Sequence, residues 1–477
     1  MRLGWVLFLL IAVAVAPQAW SDGTQTGSIG GVVRDSSGLP LPGAQVTAKG
    51  VKSGFSRDTV TGANGSYTLR LLPIGDYAVT VALSGFGKIS TTVTVETEKN
   101  TQFNADLKMS TIAETVTVSA ELPVVDKTQT NTQTTVDSKF TQKLAVGRSY
   151  QAMMQLAPGV SQNTSGNPNV HGALSSGNIF LFDGVDTTDT ATGTFGQNFN
   201  YEAIQEVNVN TGNFSAEYGR ASGGVISVVT KSGGNEFHGS AKALVTNDQW
   251  NGQNYQTNQV TGASLARTKF DEVQWTEAAT LGGPFFRDHL WFFGSYELGK
   301  VTTAARQTFG GENYQQTTDS KIWSAKATWA INNQHTLEAS GNGDPITGFV
   351  VDYWGLSADR QALTAQDQGG HVYRGNYQGV FSSSLSVEAL FATSTSRIDV
   401  LPFQGATVAP FYTFNSANVA TAQVKAPHFD LSQGLYFNGA TFTGFVERPR
   451  TQFGVAANYY KQLGTSNHNF KVGLDYQ

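Results

Sequence analysis

Residues 323–331 read Trp-Ser-Ala-Lys-Ala-Thr-Trp-Ala-Ile. Successive side chains of a β-strand point to opposite faces. Trp323, Ala325, Ala327, Trp329 and Ile331 therefore share one face, and Ser324, Lys326 and Thr328 share the other. The pattern recurs through the C-terminal half. Leu290, Phe292, Tyr296 and Leu298 oppose Ser295 and Glu297, and Tyr373, Tyr377 and Phe381 oppose Arg374, Asn376 and Gln378. Leu385, Val387, Ala389 and Phe391 oppose Ser386 and Glu388, and Phe453, Val455, Ala457 and Tyr459 oppose Gln452 and Asn458. Phe470, Val472, Leu474 and Tyr476 oppose Lys471 and Asp475. Strands of about ten residues, apolar on one face and polar on the other, are what an antiparallel barrel in a bilayer requires. A soluble sandwich alternates too. Against it stand aromatic residues near strand ends, where a membrane interface places them. The connections also alternate between short, as at Asn332-Asn333, and very long, over about 342–370 and 400–450.

Composition narrows the class. Charged residues make up 14% of the 477, well below the roughly 25% of soluble domains. The net charge is −5 with dispersed cations, which argues against a nucleic-acid partner. There is no cysteine, so a disulfide scaffold, a thiol enzyme, a Cys-ligated metal and a lipoprotein anchor are excluded. The 52 glycines and an aromatic content of 11% suit β-structure with many turns. The start reads as a signal peptide: Arg2 supplies the charge, and Leu3 to Ala16 is apolar but too short to span a bilayer comfortably. Ala14-x-Ala16 and Ala19-x-Ser21 are alternative cleavage sites.

From Ser28 to Lys108 short alternating segments are separated by turns: Val46 and Ala48; Tyr67, Leu69 and Leu71; Tyr77, Val79, Val81 and Leu83; Val93 and Val95. This spacing predicts an antiparallel sandwich. Gly31-Val32-Val33-Arg34-Asp35, Pro42-Gly43-Ala44-Gln45-Val46, Asn64-Gly65-Ser66-Tyr67 and Pro73-Ile74-Gly75-Asp76-Tyr77 resemble the carboxypeptidase regulatory-like domain. The resemblance implies a binding or spacer module without catalysis. Beyond it, Glu114-Thr115-Val116-Thr117-Val118-Ser119-Ala120 is a short run rich in β-branched residues, able to add to a sheet edge through main-chain bonds. On the residues alone it is equally a linker or the last strand of the sandwich.

Next, Ser149 can cap a helix with Tyr150, Met153, Met154 and Ala157 on one face, stopped by Pro158-Gly159. The order that follows is Leu156-Ala157-Pro158-Gly159-Val160, Asp183-Gly184-Val185, Glu206-Val207 and Tyr218-Gly219-Arg220. It resembles the plug domain of TonB-dependent outer-membrane transporters. Thr230-Lys231-Ser232-Gly233 with Phe237-His238-Gly239 looks like the subgroup related to the Oar proteins, and the specific motifs run from 28 to about 300. The resemblance implies that Glu114 to Ala120 is the TonB box. It implies plug motif residues at Arg148, Pro158, Gly159, Asp183, Gly184, Glu206, Tyr218, Gly219 and Arg220. Arg148, Glu217 and Arg220 are candidate plug–barrel ion pairs.

No catalytic set emerges. The histidines at 171, 238, 289, 335, 371, 428 and 468 lack ligand spacing. Asp183, Asp186 and Asp189 carry oxygen ligands suited to Ca²⁺, without the full loop spacing. We expect no metal site and no cofactor. The glycine pairs 223–224 and 233–234 lack the phosphate-loop context and read as close backbone contacts in a crowded lumen.

The expected fold is mainly β. A signal peptide spans 1–21, a β-sandwich 22–108, a linker with the TonB box 109–133, a small α+β plug 134–235, and a partial transmembrane β-barrel 236–477. Eight or nine barrel strands are read, where plugged transporters close at about 22. A plug of about 100 residues does not fit inside the smaller barrel, so the chain reads as the N-terminal part of a longer protein. The resemblance implies a non-enzymatic outer-membrane receptor that imports a scarce ligand, partnered by TonB with its inner-membrane energising complex, by outer-membrane lipid, and by an extracellular small ligand, saccharide or peptide. The rival expectation is a surface adhesion or ligand-binding protein without energised import. Phe403, Phe411, Tyr412 and Phe414 in the longest connection suit sugars, peptides and apolar chelates alike.

Overall fold

The computed structural model describes residues 25–109, 115–117, 131–141, 143–144, 147–163, 166–250, 252, 255–257, 264–266, 273–302, 306–351, 357, 359–402, 428–432, 435–437, 444–463 and 466–477. The signal-peptide expectation, Glu114, Val118 to Ala120 and the aromatic residues of 403–414 lie outside them.

The first unit has strands β1 (Thr26–Asp35), β2 (Gln45–Gly50), β3 (Ser56–Val60), β4 (Ser66–Pro73), β5 (Gly75–Ala82), β6 (Lys88–Val95), β7 (Asn100–Gln102) and β8 (Ala105–Leu107). One sheet has the order β4-β1-β7, with β8 also on β1. The other has the order β3-β2-β5-β6 and ends in β9 (Thr115–Thr117). The period of two does what the sequence predicts: Val46, Ala48, Tyr67, Leu69, Tyr77, Val79, Val81, Val93 and Val95 enter one core. Burial of each large apolar side chain contributes about 1.5–3 kcal/mol. Tyr67 is tolerated there because its hydroxyl donates to the Phe103 carbonyl at 2.7 Å.

The plug follows, with β10 (Thr132–Asp137), β11 (Val160–Gln162), β12 (Pro168–Val170), β13 (Ile179–Phe182), β14 (Val185–Asp186), β15 (Ile204–Gly212) and β16 (Val225–Thr230). Its main sheet has the order β10-β15-β16-β13-β14, and β13 runs parallel to β16. Every residue of β13 and β16 is buried, as expected of strands covered on both faces. The expected helix is present over Tyr150–Met154, and the Ser149 hydroxyl accepts from the Ala152 amide at 3.2 Å. It stops four residues before Pro158, because Leu156 and Ala157 bond three residues back and tighten the last turn. Tyr150, Met153, Met154 and Ala157 pack on Phe180, Phe182, Ile204 and Val207.

The third unit is a 10-stranded antiparallel sheet. Its strands are β17 (His238–Asn247), β20 (Val273–Phe286), β21 (Leu290–Thr302), β24 (Thr317–Ala330), β25 (His335–Gly343), β26 (Ile346–Val351), β27 (Thr364–Val380), β28 (Leu385–Pro402), β31 (Gly444–Leu463) and β32 (Ser466–Tyr476). The path is β17-β20-β21-β24-β25-β27-β28-β31-β32, with β26 between β24 and β27. Short turns at 287–289, 331–334 and 381–384 mark one rim. The long connections mark the other. They carry the hairpins β18 (Tyr255–Thr257) with β19 (Ser264–Ala266), β22 (Arg306–Gln307) with β23 (Asn313–Tyr314), and β29 (His428–Asp430) with β30 (Leu435–Phe437).

The expected faces hold. Tyr296, Trp329, Tyr373, Phe391, Phe453 and Tyr459 are exposed on the outer face, while Ser295, Lys326, Arg374, Gln378, Glu388 and Gln452 are buried on the inner one. Trp291 and Phe293 take inner positions near the short-turn rim. Trp291 joins the sandwich core and donates its indole N–H to Asn235 at 2.8 Å. The sandwich thus covers the short-turn rim. Asn235 also donates to Asp288 at 2.7 Å, and the Arg70 guanidinium stacks over the Tyr460 ring, 3.2 Å from its centroid.

Candidate functional site

The sheet wraps the plug, and polar contacts line the seam. Asp183-Gly184 forms the tight turn between β13 and β14. Both residues have positive φ, +45° and +83°, as a type I′ hairpin turn requires. The turn carries the Asp183 carboxylate to the wall. Lys326 of β24 lies 3.0 Å away, and Thr230 donates its amide at 2.9 Å and its hydroxyl at 2.7 Å. Arg374 of β27 donates to the Asp183 carbonyl and pairs with Glu338 of β25. Burial raises the Asp183 pKa, but Lys326, Arg374 and the Thr230 bonds outweigh it and hold the carboxyl below the usual range.

Three residues on, Asp186 meets Arg450 of β31 at 3.1 Å. Its backbone exchanges two bonds of 3.2 Å with the Gln452 amide group. Asp189, three further, pairs with Arg448. The three evenly spaced aspartates that suggested calcium oxygens are therefore each held by a wall cation. Arg448 and Arg450 lie in the half of β31 nearer the long connections, so this loop is the plug's outward tip.

The expected ion pairs are partly reassigned. Glu217 does reach the wall, pairing with Lys471 of β32. Arg220 pairs instead with Asp186, inside the plug. Arg148 pairs with buried Glu202 and stacks over Tyr201, 4.7 Å from its centroid. Glu202, not singled out in the sequence, carries the link outward: Lys242 of β17 lies 2.7 Å from it, and Lys231 donates to its carbonyl at 2.7 Å. The missed wall cations share a readable signal, a Lys or Arg on the polar face of a strand otherwise lined by Ser, Thr, Asn and Gln. Pro158-Gly159 turns the chain after the helix, Gly159 having a φ of +80°. Gly219 closes the one-turn helix Ala216–Tyr218.

Glu206 and Tyr218 face the other way, toward the sandwich. The turn after β6, residues 96–99, inserts against β15. The Thr97 amide donates to Glu206 at 2.9 Å, Asn208 donates to the Thr97 carbonyl at 3.2 Å, and the Tyr218 hydroxyl donates to Glu98. Burial raises the Glu206 carboxyl to about 7, with Glu96 and Asp137 adding to the rise and the Thr97 bonds only partly offsetting it. Burial also raises Glu98 to about 7, against Tyr218 and Lys471 and helped by Glu217 and Glu388. The docked junction therefore holds more protons than the separated surfaces, whose carboxyls titrate near 4.5. Its stabilisation is complete below about 4.5 and is lost as pH rises through about 7. A tenfold change in a carboxyl's acidity corresponds to about 1.4 kcal/mol. Fluorophores placed on sandwich and plug should report docking that loosens from pH 5 to 8. Glu206→Gln, which keeps the acceptor oxygen, should remove that carboxyl's share of the dependence and leave the share of Glu98. Equal docking at both pH values would refute it.

Of the coupling segment, the structure describes Thr115–Thr117. They form β9, parallel to β6, with Thr115 opposite Lys88, Val116 opposite Ile89 and Thr117 opposite Ser90.

Three family models match the chain, one after another. Residues 28–108 match the carboxypeptidase regulatory-like domain, 125–225 the TonB-dependent receptor plug domain, and 229–310 an outer membrane beta barrel domain. The TonB-dependent transporter Oar of Myxococcus xanthus is 29% identical over 359 residues, covering 67% of this chain and 33% of that one. The outer membrane transporter YddB of Escherichia coli superposes with a TM-score of 0.54 at 12% identity, covering 72% of this chain and 47% of that one. The siderophore receptor PirA of Acinetobacter baumannii gives 0.50 at 15% identity, with 72% and 47% covered. The chain spans a third of the curated relative and under half of each solved structure. The outer-membrane barrel and plug matches put the sheet in the outer membrane, with the short-turn rim and its sandwich on the periplasmic side.

Proposed function

We propose that this chain, a TonB-dependent outer-membrane receptor of the Oar type, imports a scarce ligand through its plugged barrel without covalent chemistry. The ligand binds from the side of the long connections. In the periplasm TonB, driven by its inner-membrane energising complex, takes residues 114–120 as an added strand and pulls. The pull rearranges the plug. The observation that carries this reading is the polar seam: the plug meets the wall through Asp183, Asp186, Asp189, Glu202 and Glu217, each on a wall cation. Buried ion pairs can separate one after another as the seam opens, because water that enters solvates each freed charge. An apolar plug–wall core has no such intermediate. The ligand is a saccharide, a peptide or an apolar chelate.

Deletion of residues 114–120 is the test. Uptake should fall to the level of a strain lacking the protein, while surface display and ligand binding persist. Full uptake without the segment would favour the adhesion reading, in which the sandwich and long connections bind and nothing is imported.

A further inference from the structure

We infer that the β6 edge of the sandwich is a strand-binding surface that holds the coupling segment at rest, and that TonB has to displace β9 from it. The inference rests on the reading of 114–120 as the coupling segment. β6 lies between β5 and β9. On one side it pairs antiparallel with β5 over Gly75–Val81, and on the other it accepts β9 in parallel. Among the described residues the β9 ladder pairs Lys88 with Thr115, Ile89 with Val116 and Ser90 with Thr117. Main-chain bonds at an edge exchange one for one with bonds to water, so each holds the strand only weakly. A partner strand that pairs with residues 115–117 takes over the bonds that β6 makes to them, so the two edges compete for one segment.

The same element touches the plug. β6 ends at Val95, and the next four residues form the turn whose Thr97 bonds Glu206 and Asn208 of β15 and whose Glu98 meets Tyr218. Coupling strand, β6, turn and plug sheet are therefore joined in series. Stripping β9 frees one edge of the strand that anchors the sandwich to the plug. The sandwich is then a keeper of the coupling segment, which limits engagement until TonB supplies a better edge.

A disulfide tests this in the full chain in outer membranes, since residues 1–477 contain no cysteine. Ser90→Cys and Thr117→Cys sit opposite each other across a ladder whose strands lie about 4.8 Å apart, within reach of a disulfide. The probe is the purified periplasmic domain of TonB. Oxidation should form the bond and cut capture at least tenfold, and reduction of the same sample should restore it. Either single variant should be captured equally in both states. Failure of the disulfide to form overturns the pairing. A bonded chain captured as well as the reduced one also overturns the inference, because TonB then adds to the outer edge of β9 without displacing it. If the bond forms and neither the reduced variant nor the unmodified chain is captured, the coupling segment lies elsewhere. That outcome refutes the functional reading and the competition with it, and is told apart by the intact pairing.

Discussion

Replacing Asp183 by alanine is expected to raise opening of the plug inside its wall by two orders of magnitude or more. Asp183 and Lys326 are both buried and 3.0 Å apart, across the seam between plug and barrel. Thr230 spends both its amide and its hydroxyl on the same carboxylate. Alanine leaves Lys326 beside Arg374, with Glu338 at 3.9 Å and the Thr230 carbonyl at 3.2 Å. Removing one member of a buried pair costs about 3–5 kcal/mol, chiefly because the other charge stays behind. A tenfold change is about 1.4 kcal/mol, so the opening constant rises by roughly two to three and a half decades. The absence of cysteine from residues 1–477 supplies the readout. A single cysteine at buried Ser227 of β16 should be labelled by a polar maleimide correspondingly faster. Pairing Asp183→Ala with Lys326→Met should recover the part of the loss that comes from the stranded charge, while the Thr230 amide and hydroxyl stay without their acceptor. Unchanged labelling in the single variant would show that the pair does not hold the plug.

The features legible in the sequence were those set by local period. The alternation of Val79, Val81, Val93 and Val95 gives the sandwich core, and that of Tyr373 and Tyr377 against Arg374 and Gln378 gives the two faces of a barrel strand. Asp183-Gly184 was picked out only through the family resemblance, and the structure supplies the reason, a turn with two consecutive positive φ values. Charge partners were not. Arg148 and Arg220 are plug residues like their partners Glu202 and Asp186, and the choice depends on tertiary distances that no period encodes. The three aspartates had an acidic spacing that suits an ion or a row of cations equally; only Lys326, Arg450 and Arg448 on distant strands decide it. Trp291 shows the limit of the period itself. An indole on the inner face of a barrel strand is out of place until a separate domain covers that rim. For Thr115–Thr117 the reading as last strand of the sandwich matches the structure, and the coupling role is what the proposed deletion tests.

Gly233→Val should prevent the plug from seating, with a loss at or above the upper end of the roughly 1–3 kcal/mol of ordinary overpacking. Gly233 lies where the chain leaves β16 and turns into the wall at β17. A Cβ on Gly233 would stand 2.8 Å from the Phe292 amide nitrogen and closer still to its carbonyl oxygen. Next to it, a Cβ on Gly234 would stand 2.8 Å from the Lys52 carbonyl oxygen. Both obstacles are backbone, one in a barrel strand and one in the sandwich, so no side chain can rotate away. A side chain at Gly233 must push the plug exit off β21, and the shift reaches the adjoining seam. Lys326 donates to the Thr230 carbonyl only three residues earlier, so a displaced exit also stretches the Asp183 cluster. Ser232→Ala, at an exposed neighbour, should stay within about 0.5 kcal/mol. The check is thermal unfolding of the purified proteins together with entry of a large polar antibiotic into cells. Gly233→Val should lower the midpoint and admit the antibiotic, and Ser232→Ala should do neither. Equal behaviour of the two would mean that the contact with Phe292 yields, and that the plug exit is not the tight point of the seam.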